Sequence, residues 1–75
     1  MNDHQPPEEL ELDKALRERL AQLQQEHADL DASIEALGRM PVPDQLRIAR
    51  LKRQKLALKD EIVKIEARVL PDIIA

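Results

Sequence analysis

The chain has 75 residues, of which 36% are charged and 43% hydrophobic, with no Phe, Tyr, Trp or Cys and a single Gly. That length supports one small domain at most, and one that struggles to bury enough apolar surface on its own. A core without aromatic residues must be built from Leu, Ile, Val and Ala, which suits a narrow helix-helix seam. The same absence removes the stacking platforms of single-stranded nucleic-acid binding, and the lack of cysteine excludes disulfides and thiolate metal sites.

No apolar run approaches the roughly 20 residues that span a bilayer, and MNDHQPPEEL has neither the basic start nor the apolar stretch of a signal peptide. A cytoplasmic protein without a membrane partner is therefore expected. Net charge is -3, unevenly spread: residues 1–37 hold ten acids against three bases, and the remainder holds nine bases against five acids. Halves of opposite sign attract when the chain folds back on itself, which accounts for the asymmetry without any external partner.

In chain order, residues 1–7 read as a flexible polar tail. Pro6 and Pro7 followed by Glu8 and Glu9 make a good helix entry, since proline fits the first turn and carboxylates favour the positive end of the helix dipole. Helix 1 is predicted over about 8–37. Gly38 falls just past the last apolar position, where a left-handed C-cap needs a residue without Cβ. Pro41 and Pro43 forbid a continuous helix, so residues 38–43 form the turn. Helix 2 is predicted over about 44–70, with Asp44 capping it or sitting in its first turn and Pro71 ending it. Residues 71–75 form an apolar C-terminal tail.

Each predicted helix carries an uninterrupted heptad seam. Leu16, Leu20, Leu23, His27, Leu30, Ile34 and Leu37 alternate spacings of 4 and 3, and Ile48, Leu51, Lys55, Leu58, Ile62, Ile65 and Val69 alternate 3 and 4. Taken in opposite directions the two sets pair so that every pair of residue numbers adds to 85, from Leu16 with Val69 to Leu37 with Ile48. A constant sum is what two stripes give when a step up one helix is matched by a step down the other. The fold class expected is all-α, an antiparallel two-helix coiled-coil hairpin, associating further into a helical bundle. Flanking charges should pair Arg17 with Glu66 and Asp31 with Lys52, and should oppose Glu26 to Glu61 and Arg19 to Arg68.

A second stripe on helix 2, Ala49, Leu56, Val63 and Leu70, is spaced by seven and displaced from the seam. The register places Leu56 near Ala28 and Val63 near Ala21, so Ala21, Ala28, Leu56 and Val63 define a candidate association face. The partner expected there is a second copy or another helical protein.

His27 and Lys55 interrupt the apolar seam in neighbouring layers. Single polar seam residues set register and partner choice, and that reading is preferred to pH sensing by His27. A metal site would need several converging ligands, and catalysis would need a pocket that a two-helix rod does not offer. No cofactor is expected and the chain does not read as an enzyme. Arg47, Arg50 and Arg53 belong to a basic run in helix 2 and form a candidate phosphate-binding face. The neighbouring acidic helix makes nucleic acid the less favoured partner.

Two stretches resemble the YdcH family of small bacterial proteins, a domain of unknown function, over about residues 16–66. One is the Glu-His pair followed by Leu-Asp and an apolar position, here Glu26, His27, Leu30, Asp31 and Ile34. The other is the run Leu51, Lys52, Lys55, Leu56, Leu58, Lys59, Asp60, Glu61 and Ile62. The resemblance implies a short helical hairpin and carries no activity, substrate or cofactor. The stiff Pro41-Val42-Pro43 connection and the apolar tail depart from what it explains.

Overall fold

Residues rich in Leu, Ala, Glu, Gln, Lys and Arg lose little side-chain freedom in a helix, and both long segments of this chain have that composition. In the computed structural model, which describes residues 7–69 and side chains from Leu10 onward, α1 spans Pro7–Gly38 and α2 spans Gln45–Val69. No strand occurs among the described residues, and the two helices pack against each other as a hairpin. The tail expected over residues 1–7 falls almost wholly outside the described residues. The apolar C-terminal tail, and Leu70 of the second stripe, fall outside them too.

The molecule is a rod of 59 × 24 × 14 Å with a radius of gyration of 17.0 Å. A compact chain of this size would have a radius near 11 Å. Elongation follows from having two helices and nothing to lay across them.

All fourteen residues of the two heptad seams are buried or half-buried, and outside them, among the described residues, only Asp13, Pro43 and Glu66 are drawn out of solvent to that degree. Leu23 is wholly enclosed, at 0% exposure. Leu20, Leu23, Ile62 and Val69 form one buried cluster with Leu16, Leu58 and Ile65 against it, which contains three of the facing pairs that the register defines. Three polar contacts cross between the helices among the described residues, and the two shortest give a further measure of register, the third being Arg19 with Glu61 at 3.8 Å. Arg17 donates to the Val69 carbonyl and Lys55 to the Asp31 carboxylate, and these contacts lie fourteen residues apart on each helix. Two heptads up one helix therefore match two heptads down the other, with no slip between.

The connection differs from expectation in one respect. Gly38 is the last residue of α1 and does not take a positive φ, so the left-handed cap is not formed. The helix instead tightens as it ends: the Arg39 amide donates to the carbonyls of Glu35 and Ala36, both at 3.2 Å, and the Met40 amide donates to Leu37 at 3.3 Å. Bonds of the i to i-3 kind satisfy the last carbonyls without a left-handed residue. Pro41 then disfavours a helical Met40 and turns the chain away. Asp44 caps α2, its Oδ1 accepting from the Arg47 amide at 3.1 Å while its carbonyl accepts from the Ile48 amide at 3.0 Å.

Two predictions follow from this geometry. A Cβ at Gly38 would meet nothing within 4 Å. Gly38→Ala should therefore stabilise the hairpin by about 0.4–1 kcal/mol, seen as a higher Tm, because it restricts the unfolded chain at no steric cost. A lower Tm would mean that the glycine conformation is needed after all. Cysteines at Leu23 and Ile62 should form a disulfide with helicity retained, since facing seam positions approach bonding distance. Cross-linking that prefers pairs several residues out of this register would contradict the hairpin.

Candidate functional site

Lys55 shows how a charged residue is accommodated in an apolar seam. Its stem occupies the seam position while its ammonium leaves by the edge, where Nζ stands 2.6 Å from Asp31 Oδ1. The partner expected for Asp31 was Lys52. Lys55 takes its place because a lysine in the seam, leaning toward that edge, reaches the carboxylate directly. This hydrogen bond, opposed by desolvation and helped by the charges of Lys55 and His27, holds the Asp31 carboxyl below its ordinary value of 3.8. His27 is half-buried in the adjoining layer, and its imidazole makes no side-chain hydrogen bond among the described residues.

The other flanking charges also rearrange. Arg17, expected opposite Glu66, donates instead to the Val69 carbonyl at 3.0 Å and lies 3.9 Å from Asp13. It thus places a cation at the negative end of α2 and satisfies one of that helix's terminal carbonyls. Arg19, expected to confront Arg68, reaches Glu61 at 3.8 Å. Glu26 and Glu61 line one groove together with Asp29, Leu30, Gln54, Ala57 and Leu58. That groove, of about 480 Å³, and a second along α1 between Leu10 and Ala21 are open to solvent. No group of His, Asp or Glu side chains stands together as a metal cage among the described residues.

The second stripe stays outside the seam. Leu56 is 66% exposed and Val63 49% exposed, while Ala21 and Ala28 are exposed at the matching heights on α1. Between this stripe and the seam run Lys52, Lys59 and Glu66 on α2 and Arg17 and Asp31 on α1. Arg47, Arg50 and Arg53 are exposed along α2, and none of them takes part in an ion pair among the described residues.

One surface escaped sequence reasoning. Val42 is 86% exposed, Leu46 77% and Met40 52%, so three large apolar side chains gather at the turn. The signal was present: Met40 and Val42 alternate with prolines in a segment that must be a turn, and Leu46 is out of phase with the seam.

Seam, caps and open flanks define a small antiparallel coiled-coil hairpin whose distinctive features are surfaces. The family model described as protein of unknown function, DUF465, matches residues 20–66, and the chain belongs to that family of small YdcH-like helical domains. No curated protein and no solved structure matches the chain significantly.

The polar layers yield two tests. The lowered Asp31 pKa means that its contact with Lys55 stabilises the fold fully above the ordinary aspartate value, and the contribution is lost as pH falls through the depressed one. Thermal melts across acidic pH should therefore show a fall in Tm that Asp31→Asn reduces. A slope unchanged in the variant would remove Asp31 from the acid response. His27→Leu should raise stability by about 1 kcal/mol by adding apolar burial. Lys55→Leu should gain less, because it forfeits its ion pair with the exposed Asp31. A destabilised His27→Leu protein would indicate an imidazole contact that the variant loses.

Proposed function

We propose that this chain is a non-enzymatic assembly module, a rigid coiled-coil hairpin that binds a second copy or another helical protein along the face of Ala21, Ala28, Leu56 and Val63. The observation that carries this reading is the exposure of Leu56 and Val63, one heptad apart on α2, when the intramolecular seam already accounts for its own residues. Apolar side chains repeating at heptad spacing offer a helix a line of holes to fill. The non-enzymatic part is supported by shape, because both grooves are open and a group bound there would keep most of its water.

The charged rows beside the stripe shape the docking. Closing four helices into a square bundle would bring Arg17, Asp31, Lys52, Lys59 and Glu66 toward a common centre, where desolvation opposes them. A partner helix laid along the outer stripe of α2 covers Leu56 and Val63, the large members of the face, and leaves those charges at its rim with Ala21 and Ala28 beyond them. This geometry is favoured over a closed bundle.

Leu56→Glu combined with Val63→Lys tests the face. Each substitution lies outside the seam, so helicity should be kept, whereas an unpaired charge buried at an interface costs about 3–5 kcal/mol. Sedimentation velocity should show the parent as the larger species and the variant as a single hairpin, with a lower Tm as the stability gained by association is lost. A parent that sediments as a monomer at high concentration removes self-association and leaves a different helical partner.

A second reading has its own observation in the exposed Arg47, Arg50 and Arg53. A nucleic-acid-associated protein would use these to contact phosphates, and its retention on duplex DNA would fall steeply with salt. Retention that survives Gln at all three positions would discard it.

A further inference from the structure

The turn end of the rod unites two features that no interaction along the hairpin uses. Met40, Val42 and Leu46 are exposed there, within seven residues of one another and on a connection stiffened by Pro41 and Pro43. Just behind them the charge is positive: residues 32–53, the two facing stretches next to the turn, hold Arg39, Arg47, Arg50, Lys52 and Arg53 against the acids Glu35 and Asp44. Asp44 is engaged in capping α2, and Arg39 is bound to Glu35 at 2.6 Å. Arg47, Arg50 and Arg53 have no ion-pair partner among the described residues. Helical side chains lean toward the N-terminus of their helix, and the N-terminus of α2 is the turn. These arginines are therefore aimed at the same end as the apolar trio.

The opposite end has the other sign. Residues 7–26 and 59–69 together hold nine acids and six bases. The rod is 59 Å long, and exposed charges separated by more than about 8 Å are largely screened at physiological salt. A surface that meets only the turn thus meets a cation, although the chain as a whole is anionic.

From this arrangement we infer that the turn is a docking tip for an anionic lipid surface, with Met40, Val42 and Leu46 entering the headgroup layer and Arg47, Arg50 and Arg53 holding lipid phosphates, the rod standing away from the membrane. Apolar side chains ahead of a row of cations match an interface in which hydrocarbon lies beneath negative headgroups. The trio distinguishes this partner from nucleic acid, which offers phosphates but no hydrocarbon layer. No helix among the described residues is long and apolar enough to cross a membrane, and a surface contact needs none. The upright orientation keeps the acidic end out of range and leaves the Leu56 and Val63 face free for a protein.

The test is co-sedimentation of the full chain with vesicles of phosphatidylcholine alone and of phosphatidylcholine mixed with phosphatidylglycerol, with helicity followed in parallel. Binding is expected only to the mixed vesicles. Arg47→Gln with Arg50→Gln should weaken it about tenfold or more and reduce its salt dependence. Val42→Ser with Leu46→Ser should also abolish most of it at unchanged helicity, whereas Lys64→Gln, which removes an exposed cation from the opposite half of the rod, should leave it intact. Equal binding to both vesicle types, indifference to either pair of substitutions, or retention on duplex DNA without vesicle binding would each overturn the proposal.

Discussion

Two packed helices touch along a single line, so the free energy holding this chain together comes from the side chains on that line and from few others. Leu20, Leu23, Ile48, Ile62 and Val69 are the only residues the fold buries thoroughly among those described. Leu30, Ile34 and Leu51 occupy the same seam yet stay half-buried, because no third element closes its edges. At about 25 cal/mol per Å² of apolar surface removed from water, every unclosed edge lowers the yield of the seam. This explains why register matters more here than in a globular domain. One step of slip turns a helix by about 100° and carries its whole stripe off the line.

The polar contacts across the helices work with that constraint. Lys55 with Asp31, Arg17 with the Val69 carbonyl and Arg19 with Glu61 involve partly exposed groups, and such contacts add little to stability. Their value lies in position. Each joins α1 to α2 at a fixed height, and a slipped hairpin would have to break them. Asp44 and the tightened end of α1 fix the connection in the same way, by satisfying backbone groups that a shifted turn would expose.

The seam was legible from residue spacing because heptad periodicity is a property of helices themselves and needs no tertiary information. All seven residues of each stripe are where the spacing places them, including His27 and Lys55. What spacing could not resolve were choices among near neighbours. The register set Arg17 opposite Glu66, and it took the Val69 carbonyl at the end of α2. The same register set Asp31 opposite Lys52, and Asp31 took Lys55, whose stem lies in the seam. Gly38 misled for a different reason: composition marks a residue permitted to take positive φ, whereas the closing bonds to Glu35, Ala36 and Leu37 decide whether it must. The exposed turn residues were visible as letters but not as a surface, since exposure at a rod's end depends on both helices stopping there.

A rod built on one seam keeps its sides and its end physically independent. Charged rows lie between the seam and the Leu56 and Val63 stripe, so those two side chains stay exposed and apart from the core. The turn is isolated by length: Val42 lies beyond the last seam pair, Leu37 with Ile48, so its burial is not coupled to seam packing. The seam, the exposed side stripe and the exposed turn therefore consist of different residues, and substitutions at one should leave the others in place. In so small a chain that separation arises because helices of this length extend in one dimension, and only the line between them has to be dry.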